Sequence, residues 1–448
     1  MRDQSRGVRD GSRGGRCVLA LALAILFAAL GAAQAGAVIV HVGGRALSYQ
    51  PAPGAPAARA LAKSVAKGGE KGSNGKGGGK GGGSQLVYHS GPVMPANTNY
   101  AIYWDPTGAP AYPSGYVAGI DRFFEDLGHD SGLLSNTDSI LAQYGDSGGH
   151  FANYSSRFGG ALTDTDPYPA WGCSAAPKCL TDAQLNSELR SFVAANKLPV
   201  DIEHMYFLLT PEGVESCMDA TEKSCSAGTP PPHRSYCAYH SYVLVSGAPL
   251  IYANIPYMEG TGCDVGGEHP NGNPSDATIA GGLAHEHMEA VTDPELNAWF
   301  DSKGREAADK CRTEKAKTEY GTPLGQAPDG SDYNELIDGD LYLYQQVWSN
   351  SAEECRQRVA ELPLVTTLKP KSGPAGGGTA VTITGSGFTS PASVHFGEAA
   401  ASEVHVLSAT TITAVAPAGT AGQKVKVTVT TAAGTSPTTT KAQFKYKP

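Results

Sequence analysis

The hydrophobic and polar positions of residues 86–362 predict both strands and helices. Segments rich in β-branched and aromatic residues predict strands, and apolar residues that recur every three to four positions predict amphipathic helices. The predicted strands are 86–94, 100–106, 204–210, 242–245 and 250–253, and the predicted helices are 116–127, 139–144 and 183–196. A sheet that precedes a central helix and has helices packed on it predicts an α+β domain.

Residues 363–448 follow a different pattern, because apolar and polar residues alternate in short runs between Gly- and Pro-containing turns. The runs are 381–388, 393–397, 411–417, 424–431 and 443–447. Regular short strands of this kind predict a small all-β, immunoglobulin-like sandwich.

The first 85 residues show neither pattern. An arginine-rich start, an apolar run from Cys17 to Ala33 and the small residues around position 35 predict a secretory signal peptide over 1–35. An uncleaved membrane anchor is the alternative, and no later segment is apolar enough to span a membrane. Residues 36–85 are rich in Ala, Gly, Pro and Lys, a composition that predicts a disordered tether. The expected location is therefore extracellular or at the cell surface.

Eight cysteines remain after the predicted signal peptide. An even number in an exported chain predicts four disulfides, although eight cysteines allow 105 connectivities. Proximity favours Cys173–Cys179, and a Cys311–Cys355 bridge would tie the segment around residue 306 to the end of the domain. The pairing of the other four is left open. A thiolate metal site is disfavoured, because no C-x-x-C pair is present.

The segment 276–294, DATIAGGLAHEHMEAVTDP, is the most informative stretch of the chain. Asp276 is a candidate N-cap, and Pro294 ends the helix because its ring disfavours a helical preceding residue. His285 and Glu289 lie four residues apart and so share one helix face, which Glu286 borders. This arrangement is that of the zincin helix H-E-x-x-H, with Glu as the second ligand.

A third metal ligand is expected downstream. Glu306 lies at the distance at which thermolysin-like enzymes supply their last ligand, and Asp309 would orient His285 as its hydrogen-bonding partner. The predicted site therefore holds zinc through His285, Glu289 and Glu306, with Glu286 as the general base. The alternative is that the helix presents a solvated charged face and binds no metal.

The other histidines give weaker signals. His287 is about 200° from His285 around the helix, which predicts a surface position or one behind the ligands. Three lone histidines, His204, His240 and His269, are each expected to be structural, and His240 is the best candidate ligand among them.

Charge narrows the range of partners. The chain carries a net charge of −9, and residues 86–362 are more acidic than the rest. An acidic domain repels phosphate backbones, so nucleic acid is not an expected partner. The remaining candidates are an extracellular protein, a peptide or a polysaccharide.

Two resemblances add to these patterns. The segments VYHSGP, NYAIYWDP, LPVDIEHMYFLLTP, CAYHSYV, LIYANIPY and HEHMEAVTDP, in this order, resemble the Exordium-like (phosphate-induced) secreted proteins across 86–355. That resemblance implies secretion and implies no reaction. The segments SGPAGGGTAVTITGSGF, VHFGEAAA and VTVTTAAGTS resemble an IPT/TIG domain across 363–448, which implies a spacer or binding module.

Two functions follow from the sequence. The first is a secreted zinc-dependent hydrolase, peptidase-like, with a zincin-like α+β domain at 86–362 and an IPT/TIG domain at 363–448. The second is a non-catalytic extracellular binding or signalling protein whose HEHME helix holds a structural metal or none. Metal analysis and the Glu286→Gln variant separate them.

Overall fold

The computed structural model describes residues 38–42, 45–52, 85–226, 235–312, 318–359, 362–390, 392–431 and 433–448. All of them belong to one compact unit, 34–448, and the other unit, 1–33, lies outside the described residues. The predicted signal peptide and residues 53–84 of the predicted tether also lie outside the described residues. None of the helices in the described part is long and apolar enough to cross a membrane.

The first domain is built on a seven-stranded mixed sheet with the strand order β1-β2-β9-β10-β7-β4-β5. The last four strands in that order are parallel to each other, and the first four are antiparallel. The strands of this sheet are β1 (Val38–Val42), β2 (Arg45–Pro51), β4 (Asn97–Trp104), β5 (Ser156–Asp164), β7 (His204–Thr210), β9 (Tyr236–Val245) and β10 (Ala248–Pro256).

Short two-stranded ribbons surround this sheet. They pair β3 with β11, β6 with β8, β12 with β13, β14 with β15 and β16 with β17. Their bounds are β3 (Val87–Tyr88), β6 (Cys179–Thr181), β8 (Glu215–Cys217), β11 (Trp299–Phe300), β12 (Gly325–Gln326), β13 (Asp332–Tyr333), β14 (Glu335–Ile337), β15 (Asp340–Tyr342), β16 (Val347–Ser349) and β17 (Glu354–Arg356).

Four α-helices accompany the sheet: α1 (Tyr116–His129), α2 (Asp182–Ala195), α3 (Ser275–Thr278) and α4 (Ala284–Thr292). The predicted apolar face of α1 is buried at Ile120, Phe123, Phe124 and Leu127. Helix α2 begins with a capping box, since Thr181 and Gln184 exchange hydrogen bonds at its first turn. The predicted helix 139–144 is a 3₁₀ helix, Thr137–Gln143; two further 3₁₀ turns are Asp309–Cys311 and Thr318–Tyr320.

Residues 38–51 differ from the disordered tether that composition predicts. They form the hairpin β1–β2, which extends the sheet by pairing with β9. Val40, Leu47 and Tyr49 are completely buried, so this short apolar stretch gains a core to pack against.

The central helix is not continuous. A turn of π-helix, Ile279–Leu283, lies between α3 and α4. Its two glycines lie so close to neighbouring residues that a Cβ atom on either would come within 2.4 Å of another atom. Asp276 lies inside α3 and is therefore not the N-cap that the sequence suggested. Its carboxylate instead accepts a hydrogen bond from the amide of Asn271 at 2.9 Å and closes the preceding loop.

Four disulfides connect the first domain: Cys173–Cys179, Cys217–Cys225, Cys237–Cys263 and Cys311–Cys355. The two pairs that the sequence favoured are both present. The Cys311–Cys355 bridge holds the segment of Glu306 and Asp309 against β17.

The second domain is a sandwich of two sheets, as the alternation predicts. One sheet has the order β18-β20-β24-β23, and the other has the order β19-β27-β25-β21-β22, with β26 paired to β25. Their bounds are β18 (Leu364–Lys369), β19 (Ser372–Pro374), β20 (Ala380–Ser386), β21 (Ser393–Phe396), β22 (Ala399–Ala400), β23 (Ser402–Ser408), β24 (Thr411–Val415), β25 (Lys424–Thr431), β26 (Gly434–Thr435) and β27 (Gln443–Lys447). Inward side chains such as Ile383, Ile412, Val427 and Phe444 form a core of its own.

Candidate metal centre

The HEHME helix is buried along its whole length. The alternative prediction, a solvated charged face, is therefore wrong. Every residue of α4 is buried, and His285, Glu286 and Glu289 have no exposed surface at all. Helix α4 packs against β9 and β10 of the sheet, and β2 lies against it as well. Charged groups in such a position need a partner, because an isolated buried charge costs several kcal/mol.

His285 lies at the centre of one group of donors. Its Nε2 atom is 3.2 Å from Oε1 of Glu289 and 3.3 Å from Oδ1 of Asp309. Donor atoms about 2.0–2.1 Å from a tetrahedral ion lie about 3.3 Å from each other. These three side chains therefore have the spacing of a zinc ligand set.

The amide of Gln345 determines which nitrogen of His285 carries the proton. Its Nε2 donates to the carbonyl of Ala308 at 2.7 Å, so its Oε1 faces Nδ1 of His285 at 3.0 Å and accepts from it. In the neutral ring Nε2 then has a free lone pair, and it makes no hydrogen bond. A lone pair facing two carboxylates is repulsive, and either a metal cation between them or a proton on Nε2 relieves that repulsion.

The downstream segment reaches the helix through a tight turn. The amide of Asp309 donates to Oε1 of Glu289 at 3.0 Å, and the amide of Glu306 donates to Oδ2 of Asp309 at 2.9 Å. Asp309 thus lies at ligand distance from His285, whereas the sequence placed it behind the ligands. Glu306 is fully buried and lies beside a different histidine, His240.

His240 is the residue that the sequence undervalued. It projects from β9, with Nδ1 3.1 Å from Oε2 of Glu286 and Nε2 3.8 Å from Oε1 of Glu306. Nothing in the local sequence CAYHSY relates it to the helix, because only the pairing of the strands brings β9 over α4. Gln345 was missed for the same reason.

The position of His287 differs from the predicted one. The sequence placed it on the surface or behind the ligands, but it is fully buried on the other side of α4. Its Nε2 lies 3.1 Å from Oδ1 of Asn97, and its Nδ1 lies 3.1 Å from Oδ1 of Asp138. It therefore links the helix to β4 and the first 3₁₀ helix.

The electrostatics match a site that needs cations. Burial raises the pKa of both Glu286 and Glu289 to about 8, and for Glu289 the neighbouring Asp309 adds to the effect. Burial and Glu289 raise the pKa of Glu306 well above its usual range. Burial lowers the pKa of His285, but Glu289 and Asp309 outweigh it and raise the value well above the ordinary one. Carboxylates held this close resist charging together unless a positive ion joins them.

The hairpin β1–β2 covers the centre. Ser48 of β2 pairs with His240 of β9, and its hydroxyl approaches Glu306. The backbone amide of Gln50 approaches Glu286. Both donors favour the charged carboxylates over the neutral ones.

Comparison with known proteins identifies the second domain. Residues 363–446 match the IPT/TIG domain family. No curated protein matches the chain.

Solved structures add little to this match. The TIG domain from human nuclear factor of activated T-cells, cytoplasmic 4, is 25% identical over 19% of this chain and 89% of that domain, with a TM-score of 0.17. An auxiliary nutrient binding protein from Bacteroides ovatus is 24% identical, and SGBP-B from a xyloglucan utilization locus in Bacteroides uniformis is 26% identical. The alignments cover 19% and 18% of this chain, but only 21% and 23% of those proteins, with TM-scores of 0.16 for both.

TM-scores this low support no functional argument. The family match covers residues 363–446 and therefore does not include the candidate metal centre. What is established is the second domain: residues 363–446 are an IPT/TIG domain, as the alternation and turns of 363–448 predicted.

Proposed function

We propose that the first domain is an exported, zinc-dependent hydrolase domain of peptidase-like chemistry, and that the IPT/TIG domain is its spacer or binding module. The proposal depends on one observation: Nε2 of His285 faces carboxylate oxygens of Glu289 and Asp309, at 3.2 Å and 3.3 Å, which is the spacing of ligands around a tetrahedral ion. The Exordium-like resemblance remains a prediction and supports export alone.

The chemistry of the donors favours a hydrolytic centre over a structural one. Structural zinc sites are closed and rich in cysteine, whereas hydrolytic sites use three histidine or carboxylate ligands and leave a position for water. Here the eight described cysteines all form disulfides, and the donors are one imidazole and two carboxylates. A zinc ion at this position would supply Lewis acidity.

Glu286 is the candidate general base. Its Oε2 accepts from His240, and its Oε1 makes no hydrogen bond. Burial raises its pKa to about 8, which brings the carboxyl group close to the range in which a base exchanges protons at neutral pH. The partnerless oxygen is the atom expected to take the proton of a water molecule.

A second function is favoured by a different observation. All six side chains of the cluster are fully buried, namely His240, His285, Glu286, Glu289, Glu306 and Asp309. A substrate needs access, so a hydrolase requires the β1–β2 hairpin to move away. Without that movement the protein is a non-catalytic extracellular binding protein with a structural ion.

The test uses the purified full chain, loaded with Zn²⁺ and assayed on a mixed peptide library by mass spectrometry. The hydrolase hypothesis expects wild type to bind zinc and cleave peptides, and Glu286→Gln to bind zinc and lose at least about 100-fold in rate. Equal bond cleavage by both proteins, or none by either while zinc is bound, supports the binding protein instead. A wild-type chain that binds no zinc contradicts the hydrolase and supports a binding protein without a metal.

A further inference from the structure

The cluster contains more ligand atoms than one ion uses. His285, Glu289 and Asp309 offer donor atoms that all lie within 4.8 Å of one another, and so do His240, Glu289 and Glu306. Only Glu289 belongs to both groups. The second group includes the histidine that no helical motif contains.

The orientation of His240 matches that of a metal ligand. Its Nδ1 is 3.1 Å from a carboxylate oxygen of Glu286, closer than its Nε2 is to the carbonyl of Asp293, at 3.4 Å. The shorter contact assigns the proton to Nδ1, and a histidine that donates one N–H to a carboxylate presents its other nitrogen as a ligand. Besides the carbonyl of Asp293, Nε2 faces Oε1 of Glu306 at 3.8 Å.

The carboxylates provide the remaining atoms. Glu289 uses Oε1 toward His285 and the amide of Asp309, while its Oε2 makes no hydrogen bond. Both oxygens of Glu306 also lack a hydrogen-bond partner, and this side chain has no exposed surface. Buried acceptors are normally satisfied, so three carboxylate oxygens without a hydrogen-bond partner beside an imidazole nitrogen have the character of a cation site.

Charge gives an independent argument. Five fully buried carboxylates act on one another here, on Glu286, Glu289, Asp293, Glu306 and Asp309, and the buried Arg312 is the arginine that acts on Glu286. One divalent ion together with this arginine leaves net negative charge in the interior. A second divalent ion removes that excess, and an uncompensated buried carboxylate is costly.

We propose that the centre binds two divalent metal ions of the zinc class, one at His285, Glu289 and Asp309 and the other at His240, Glu289 and Glu306, with the Glu289 carboxylate shared. The first ion is that of the proposed function, and the second rests on it. Hydrolases with two ions hold them about 3.5–4 Å apart and use the pair to stabilise the attacking and the leaving oxygen. The proposed substrates are therefore peptides, as in the proposed function, and Glu286 both orients His240 and keeps one oxygen for proton transfer.

Metal stoichiometry tests the proposal on the full chain. The protein is stripped with a chelator, titrated with Zn²⁺ and analysed for bound metal. Wild type is expected to bind two equivalents, His240→Ala and Asp309→Ala one each, and Glu289→Ala none. His150→Ala, which changes an exposed histidine outside the cluster, is the matched control and keeps two.

Glu306→Gln keeps the shape of the side chain, so loss of one equivalent in that variant cannot be attributed to unfolding; circular dichroism checks the fold of every variant. Electron paramagnetic resonance of the Mn²⁺-loaded protein gives a second readout. Two ions that share a carboxylate give an exchange-coupled signal, and His240→Ala should convert it to the hyperfine-split signal of an isolated ion.

The outcomes separate the two proposals. One equivalent in wild type, lost in Asp309→Ala and kept in His240→Ala, overturns the second ion and leaves the proposed function intact. No bound metal in wild type overturns both. Two equivalents that persist in His240→Ala and in Glu306→Gln place the second ion elsewhere and also overturn the inference.

Discussion

Among the single residues of the candidate centre, Gln345 has the most distinctive role, because it orients His285 without being one of the proposed ligands. Replacing it by leucine removes the acceptor of His285 Nδ1 and the donor to the carbonyl of Ala308. Loss of such an orienting partner lowers metal affinity about 10–100-fold. We expect Gln345→Leu to bind Zn²⁺ that much more weakly in competition with a chromophoric chelator.

The control for this variant is Gln326→Leu, on an exposed ribbon of the same domain. Gln345→Glu restores an acceptor for the imidazole and should recover most of the affinity. Equal affinity in Gln345→Leu and wild type would show that His285 is not a ligand through Nε2.

Asp126 provides a test of the pH dependence of stability at a position outside the candidate metal centre. Burial raises its pKa from 3.8 to about 7, while the hydroxyl of Tyr342, at 2.6 Å, favours the charged form and opposes the shift. The folded state therefore holds this proton more tightly than the unfolded state. The resulting stability is fully present below about pH 4 and is lost as the pH rises through about 7.

Asp126→Asn cannot titrate but still accepts from Tyr342. Between about pH 4 and pH 8 wild type should therefore lose more free energy of unfolding than the variant, by up to about 4 kcal/mol for the whole shift. Urea unfolding at several pH values measures the difference, and the exposed Glu203→Gln is the control. Parallel pH profiles for wild type and Asp126→Asn would contradict the raised pKa.

At the level of elements, the π-turn before α4 sets the position of the HEHME helix. A Cβ atom on Gly281 would come within 2.4 Å of the carbonyl oxygen of Cys263, and because that atom is backbone the chain itself must move. We expect Gly281→Ala to lower the free energy of unfolding by about 1–3 kcal/mol, despite the better helix propensity of alanine. Because α4 carries two of the proposed ligands, the zinc affinity of this variant should fall together with its free energy of unfolding.

Gly376→Ala is the matched control for this variant. A Cβ atom there meets no atom within 4 Å, and the residue does not have a positive φ. Its unfolding free energy should change by no more than about 0.5 kcal/mol. Thermal unfolding and zinc titration of both variants give the comparison, and similar behaviour of the two would show that the close contact at Gly281 is easily relieved.

The β1–β2 hairpin is the second element that controls the centre. Arg45 forms an ion pair with Asp182 and donates to the hydroxyl of Tyr252 at 2.7 Å, which fixes the start of β2 to the domain. Arg45→Gln leaves Asp182 without its cation. We expect a loss on the order of 1–3 kcal/mol in unfolding free energy, less than for a fully buried pair because Arg45 is 31% exposed.

The same variant should speed removal of Zn²⁺ by a chelator, since Ser48 and Gln50 lie over the centre and leave it when the hairpin opens. Stopped-flow mixing with the chelator measures this rate. Arg190→Gln, an exposed arginine on α2, is the control. Unchanged release in Arg45→Gln would show that the hairpin does not limit access.

The sequence predicted some elements better than others. It predicted the elements whose pattern lies within their own segment and missed those that depend on contacts with distant parts of the chain. Strand β7, helices α1 and α2 and the strands of the second domain follow from periodicity and caps within each segment. The hairpin β1–β2 does not, because its short apolar runs gain stability only by pairing with β9, far along the chain. The centre divides in the same way. His285 and Glu289 share a local motif, whereas His240 and Gln345 come from distant strands and loops and have no local signature.

On the scale of the whole molecule, the two domains have separate hydrophobic cores, and only the first contains the metal centre. A ligand stabilises the unit that binds it, by about 2.7 kcal/mol when its free concentration is 100 times its dissociation constant. We therefore expect calorimetry of the full chain to show two transitions. Removing metal with a chelator should lower the midpoint of one transition and leave that of the IPT/TIG domain unchanged.

His285→Ala assigns the transition. In this variant the metal-sensitive midpoint should already be low, and the chelator should not move it further, because the ligand set is broken. Excess Zn²⁺ should restore the wild-type midpoint after chelation but not that of His285→Ala. If the chelator lowers both midpoints together, the domains unfold as one unit; if it lowers neither, the buried histidines and carboxylates are an ion-pair network that folds without metal. In that last case the raised pKa of His285, caused by Glu289 and Asp309, is its physical basis: a protonated imidazole takes the place of the cation.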